Sequence, residues 1–244
     1  MIATLTALLF AHVLADFALQ TDWINANKSR PLVMLLHGVI VWLTAHAALG
    51  TPYDPILTGL AVAHVAIDAT KILAARQYNR FRGFSAFMAD QGTHGLTLLA
   101  AAYIAPTLWQ DGAWAHHPGL LPLYALLTGF ILSITAGQYA VGLLMRPHSQ
   151  RIRNNGLRDG GRLIGVLERG LIYLLILANL PLGVGFLITA KSILRYGTAT
   201  RDQRTAEYVI IGTLASFSWA IAVALGTQLW LSALPPLEIA TQAH

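Results

Sequence analysis

The sequence predicts an all-α protein, a polytopic transmembrane bundle of about seven or eight helices forming one domain over residues 1–244. Three observations lead there. The chain is 55% hydrophobic and only 11% charged, whereas a soluble domain carries about 25% charged residues. Its apolar runs reach the roughly 20 residues needed to cross a bilayer. The stretches between them are short and rich in Pro, Gly, Asn and Arg, the residues that end helices and make turns.

The spans fall near 2–21, 32–50, 55–75, 90–109, 120–145, 162–195 and 206–234. The opening MIATLTALLF has no basic residue and runs straight into His12 and Asp16. It therefore reads as a retained helix rather than a cleaved signal peptide. Basic residues gather after alternate spans: Lys28 and Arg30, then Arg76, Arg80 and Arg82, then Arg146, Arg151, Arg153, Arg158 and Arg162. The turns near 51–54 and 110–118 carry no Lys or Arg. The positive-inside rule then places the N-terminus outside and loops one, three and five in the cytoplasm. The net charge of +5 is accounted for by these loops, so no nucleic-acid partner is expected; membrane lipids are.

The stretch 162–195 is too long for one crossing, and its far end is again basic, with Lys191, Arg195, Arg201 and Arg204. Asn179-Leu180-Pro181-Leu182-Gly183 interrupts it, and proline breaks a helix interior. Two short helices are expected, about 163–178 and 182–195, as a hairpin or re-entrant pair. One long kinked helix is the alternative.

The first half (1–110) contains a duplicated motif. His12-Val-Leu-Ala-Asp16 is followed by Leu36-His37-Gly38; His64-Val-Ala-Ile-Asp68 is followed by Thr93-His94-Gly95. Each copy reads HVxxD near a helix end, a basic loop, then HG early in the returning helix. Both copies enter from the same side, so a tandem parallel repeat about an axis along the membrane normal is expected. Residues four apart share a helix face, which pairs His12 with Asp16 and His64 with Asp68. Counting rise per residue puts Asp16, His37, Asp68 and His94 in one slab, with His12 and His64 a turn deeper. Asp90, Gln91 and Gln20 lie at its rim, and Lys71 can snorkel to the same edge.

Intramembrane ionisable groups face partners or wet cavities and mark function. Imidazoles with carboxylates suit Zn, Fe, Mn or Ni; zinc comes first here, with iron or manganese next. Two copies of the motif accommodate two divalent ions about 3.5–4 Å apart. One ion with the remaining carboxylates orienting the imidazoles is equally consistent. The absence of cysteine excludes disulfides, iron–sulfur clusters and thiolate sites. His46 reads as a helix–helix hydrogen-bonding group, and His116, His117, His148 and His244 as solvated. In the second half (119–234), Glu168, Arg169, Lys191, Ser192, Arg195, Glu207 and Tyr208 face the same side. They form either internal ion pairs, such as Glu168 with Lys191 or Arg195, or a site gripping a phosphate or carboxylate.

The segments HVLADFALQTDW, LLHG, HVAID, DQGTHG, LERGLIYLLIL, GFLITAKSILRYG and AEYVIIGTLASF together resemble a bacterial domain-of-unknown-function family of small inner-membrane proteins with an opening HxxxDFxxQ signature. That resemblance extends over most of the chain and implies no reaction. The HxxxD and HG pieces are more faintly similar to membrane-bound metal-dependent hydrolases, over the first four helices.

The leading expectation is a metal-dependent hydrolase in which His12, Asp16, His37, His64, Asp68 and His94 hold one or two ions. Asp90 is its candidate base, and Lys71 and Arg195 its candidate anchors for an anionic group on a lipid-linked or amphiphilic substrate. The alternative is a metal-ion or proton-coupled transporter using the same residues. A haem or di-iron oxidoreductase ranks lower, because HxxxD replaces the HxxxH of desaturase-like sites. A purely structural partner protein is the non-catalytic option.

Overall fold

The computed structural model describes residues 1–78, 82–149, 159–199 and 203–236. Every regular element among them is helical, as composition predicts. The chain forms two compact units, one of Met1–Ile131 with the chain from Leu229 onward, the other of Leu132–Gln228.

In the first unit, α1 (Ile2–Val13) continues into a π-helical turn, Leu14–Leu19. A short helix, α2 (Asp22–Asn27), follows, started by Thr21, whose hydroxyl accepts from Ile24 N–H. Next come α3 (Pro31–Leu49), α4 (Pro55–Gln77) and α5 (Phe84–Ile104). Pro31 and Pro55 occupy first-turn positions, where the missing N–H costs nothing. Asp54 caps α4 by accepting from Ile56 and Leu57 N–H. Gly50 ends α3 at φ 70°, with Trp114 closed onto the space a side chain would need. The unit is completed by α6 (Leu108–Asp111) and α7 (Leu120–Ile131).

Helices α1, α3, α4 and α5 form a closed ring: α1 packs on α3 and α5, and α4 packs on the same two. Their polarity is fixed at one end. Thr4 Oγ1 donates to Pro106 O just past α5, Trp114 Nε1 donates to Ala47 O near the end of α3, and Asp54 N–H donates to His46 Nε2. Thus α1 and α4 run away from that end while α3 and α5 return to it. This is the arrangement a twofold axis along the helices requires of a tandem repeat. A buried apolar cluster including Leu8, Leu49, Leu57, Leu98, Ala102 and Trp109 fills the ring at this end. His46 sits here too, hydrogen-bonded to Trp42 O and Asp54 N–H. It links the end of α3 to the N-cap of α4, a helix–helix hydrogen bond as expected.

The second unit opens with a π-helical turn, Leu132–Ala136, followed by α8 (Gly137–Met145), α9 (Gly160–Leu177), α10 (Pro181–Ala199) and α11 (Gln203–Ser232). The break expected near Pro181 is present: α9 ends on Asn179 at φ 57° and Pro181 starts α10. Lys191 Nζ lies 2.5 Å from Glu168 Oε2, 23 residues away. A continuous helix would separate them by roughly 35 Å at ~1.5 Å per residue, so α9 and α10 form a hairpin.

Five helical stretches are long and apolar enough to cross a membrane: Ile2–Leu19, Pro31–Leu49, Pro55–Gln77, Leu120–His148 and Gln203–Ser232. Helix α5 has 21 residues, but Asp90, Gln91, Thr93 and His94 make its first half polar.

Candidate metal centre

The ring gathers all six ligand candidates of the duplicated motif. His12, Asp16, His37, His64, Asp68 and His94 are buried, none more than 8% exposed. Each is delivered by a helix-periodic spacing. His64 and Asp68 are one turn apart on α4. His12 and Asp16 have the same spacing on α1, but Asp16 belongs to the π turn, which widens the helix there and re-aims the carboxylate. Gly38 lets α3 meet α4: a Cβ there would come within 2.7 Å of Val65 Cγ2. Gly95, its counterpart, faces no such neighbour.

The tightest group is Asp16, His37, His64 and Asp68. His37 Nε2 and His64 Nε2 are 3.1 Å apart. Asp16 Oδ1 is 3.2 Å from each, and Asp68 Oδ2 is 3.5 Å from His37 Nε2 and 3.4 Å from His64 Nε2. Zinc bonds of ~2.0–2.1 Å in a tetrahedron imply ligand–ligand edges of roughly 3.3 Å. Five of its six edges fall near that length, as hydrogen-bonded N–H···O pairs also do; Asp16, His37 and His64 bring ligand atoms within 4.8 Å of one another. Depth counting alone separated His64 from the layer of Asp16, His37 and Asp68; the π turn and helix packing bring it in.

A second, looser group surrounds His94. Its Nε2 is 3.8 Å from Asp90 Oδ1 and 4.0 Å from Asp68 Oδ1. The His94 ring stacks on His64 with centroids 4.1 Å apart, and its centroid is 5.1 Å from that of His12. Neither His94 nitrogen has a hydrogen-bond partner among the described residues, and the same holds for Asp90 Oδ1 and for Nδ1 of His12 and His37. Buried imidazole nitrogens normally find partners. His94 Nε2 faces the Asp68 and Asp90 carboxylates without one, an arrangement suited to a cation.

Two residues complete the site that the ligand pattern did not single out. Lys28, 8% exposed, places Nζ 2.5 Å from Asp68 Oδ2 and donates to Gln20 Oε1 at 2.8 Å. The α2 turn folds it back over the ring. Gln91, expected only at the rim, bridges His12 Nε2 (3.3 Å), Asp16 Oδ2 (3.5 Å) and Asp90 Oδ2 (3.4 Å). Lys71 reaches the edge as expected but is held by Asp90 Oδ2 at 2.6 Å. Its side chain is 36% exposed, against 10% for Lys28. The ring therefore has a cationic mouth at the end away from the apolar plug. A small cavity beneath His12, His64 and His94, lined by Leu8, Ala11, Val41, Leu60 and Leu98, abuts that plug.

In the second unit, Glu168 and Lys191 satisfy each other. Arg169 is buried, donating from Nε to Ser133 O, from Nη1 to Ser216 Oγ and from Nη2 to Ile134 O. The internal-pairing alternative thus describes Glu168 and Lys191. Arg195 belongs to α10, and its side chain lies outside the described residues, as do Arg80, Arg151, Arg153, Arg158, Arg201 and His244. His116, His117 and His148 are exposed.

Residues 4–116 match the model of a family described as a protein of unknown function, DUF3307. The match spans the helix ring and its capping turns and stops before α7. The matched residues lie within the unit that holds the His/Asp cluster. Comparisons with curated proteins and with solved structures gave no match.

Proposed function

We propose that the helix ring is a membrane-embedded, metal-dependent hydrolase whose divalent ion is held by Asp16, His37, His64 and Asp68. The observation that carries this reading is the quartet's set of 3.1–3.5 Å separations, the spacing of ligands around one small cation. An ion there supplies a water acidic enough to ionise near neutral pH. Lys28 on Asp68 acts from outside the ligand set, fixing the carboxylate and offsetting its charge. Lys71 at the mouth is placed to meet the anionic group of a phosphate- or carboxylate-bearing amphiphile. Asp90, the candidate general base, holds the Lys71 ammonium at 2.6 Å at the edge of the site. Attack by the water's oxygen on the substrate's phosphorus or carbonyl carbon would break the bond to the leaving oxygen, which takes up a proton.

The apolar plug supports hydrolysis over transport. Buried Leu8, Leu49, Leu57 and Leu98 fill the ring beyond the histidines, leaving a cul-de-sac in place of a polar path. The basic loops after α2 and α4 orient its mouth toward the cytoplasm of a bacterial inner membrane.

Elemental analysis of the purified full-length protein tests the proposal. About one tightly held equivalent of zinc, manganese or iron is expected, lost in Asp16→Asn, together with metal-dependent cleavage of a p-nitrophenyl phosphodiester or ester in micelles. Protein that stays metal-free after supplementation with all three metals contradicts it. Metal accumulation by proteoliposomes without cleavage replaces it with transport.

A further inference from the structure

The duplication makes a demand that the tight quartet meets only once. The twofold relation exchanges His12 with His64, Asp16 with Asp68 and His37 with His94. Applied to the quartet Asp16–His37–His64–Asp68, it generates a second quartet, Asp68–His94–His12–Asp16. The two carboxylates are common to both, and the imidazoles differ.

The second quartet exists but is open. His94 Nε2 stands 4.0 Å from Asp68 Oδ1, and His12 Nε2 stands 3.9 Å from Asp16 Oδ2. These separations exceed those of the first quartet by about half an ångström or more, and by that much the edges set by ~2.0–2.2 Å bonds. The cause is visible. The Gln91 amide is wedged between His12, Asp16 and Asp90. Asp90 is turned toward Lys71.

Neither Gln91 nor Asp90 has a polar counterpart in the first hairpin. The residues three and four before His37 are Met34 and Val33; those before His94 are Gln91 and Asp90. The second hairpin has therefore added a carboxylate one turn from its histidine. Its Oδ1 lies 3.8 Å from His94 Nε2 with no hydrogen-bond partner among the described residues. His94 is 1% exposed and its two nitrogens are likewise unpartnered. A buried imidazole without a hydrogen-bond partner, facing two carboxylates, is a donor arrangement suited to a cation.

We propose that His12, His94, Asp68 and Asp90 form a second, weaker divalent-cation position, held closed by Gln91 and by the ammonium of Lys71. The proposal rests on the metal reading of the first quartet. Its nitrogen–oxygen donor set favours Mn²⁺, Fe²⁺ or Zn²⁺ over Ca²⁺ or Mg²⁺. Lys71 is the latch because its exposure lets it leave Asp90 for the mouth, where it meets the anionic group of a substrate. Two divalent ions sharing Asp68 leave the site cationic, and a phosphate or carboxylate offsets part of that charge. An anionic substrate and the second ion should therefore bind cooperatively.

The test uses full-length protein loaded with Zn²⁺, dialysed, then titrated with Mn²⁺ while free Mn²⁺ is followed by EPR. Wild type should retain one Zn²⁺ and take up one Mn²⁺ more weakly. Lys71→Met should tighten the Mn²⁺ step about tenfold, the scale of an outer-shell change, without altering the retained Zn²⁺. Asp90→Asn should abolish the Mn²⁺ step alone. Inorganic phosphate should tighten Mn²⁺ binding in wild type and less so in Lys71→Met. One retained Zn²⁺ with no Mn²⁺ uptake, or uptake indifferent to both substitutions, overturns the second position. Absence of any retained Zn²⁺ overturns the first quartet itself.

Discussion

The two units bury polar side chains in opposite ways. In the unit of α8–α11, the buried charges are matched by protein. Arg169 meets two carbonyls freed by the π turn and the hydroxyl of Ser216, and Glu168 meets Lys191. In the helix ring, three carboxylates and four imidazoles converge; Lys28 meets Asp68 and Lys71 meets Asp90, yet both His94 nitrogens and Asp90 Oδ1 have no hydrogen-bond partner among the described residues. Low-dielectric surroundings make an unmatched polar group expensive. The first pattern is what helix association needs; the second is what the proposed ion would complete. Burial of ionisable groups does not by itself mark a site.

Substitutions should separate the two patterns. The largest effect is expected for His64→Ala. Structural zinc sites bind with ~10–16 kcal/mol, so one ligand of four is worth roughly 3 kcal/mol, or about a hundredfold in affinity. Metal content measured after dialysis should collapse while the helical circular dichroism is retained. Arg169→Met should do the reverse. Three lost bonds at ~0.6 kcal/mol each within a membrane protein lower unfolding stability by about 2 kcal/mol, and metal content stays unchanged. A loss of metal in Arg169→Met with full stability would erase the distinction between the units.

Within the ring, the two HG motifs give a finer comparison. Gly38→Ala puts a methyl 2.7 Å from Val65 Cγ2, an overpacking that costs about 1–3 kcal/mol. It should also loosen metal binding by pushing α3 from α4. Gly95→Ala meets no neighbour within 4 Å and should leave thermal stability and metal affinity as they are. Equal effects at both positions would argue against unequal packing of the two hairpins. A small change is expected for Glu168→Gln, since an ion pair with partly exposed partners contributes about 1 kcal/mol or less. A slight loss of thermal stability without loss of metal is the expected outcome.

Much of this contrast is legible in the sequence, because helical periodicity is a strong signal. HVxxD repeated with HG placed six ligands on the inward faces of four helices. Pro181 with Asn179 pointed to a break between two short helices, and the charges at their far ends offered Glu168 a partner in Lys191 or Arg195. What escaped the sequence depends on departures from regular helix. Lys28 enters the site because the chain turns at Thr21 and α2 folds it back over Asp68. Asp16 changes direction because its helix widens into a π turn. His64, counted a turn too deep, joins the quartet by helix packing rather than by its position along α4. Gln91 had a visible signal, one residue from Asp90 and three before His94, but an amide lacks the charge that draws notice in a membrane segment.

The central claim is that Asp16, His37, His64 and Asp68 surround one ion. X-ray absorption at the zinc edge of Zn²⁺-loaded, dialysed protein measures this directly. A shell of two imidazole nitrogens and carboxylate oxygens at about 2.0 Å, degraded in His37→Ala, is the predicted result. An all-oxygen hydrated shell, or a spectrum unchanged in His37→Ala, would contradict it.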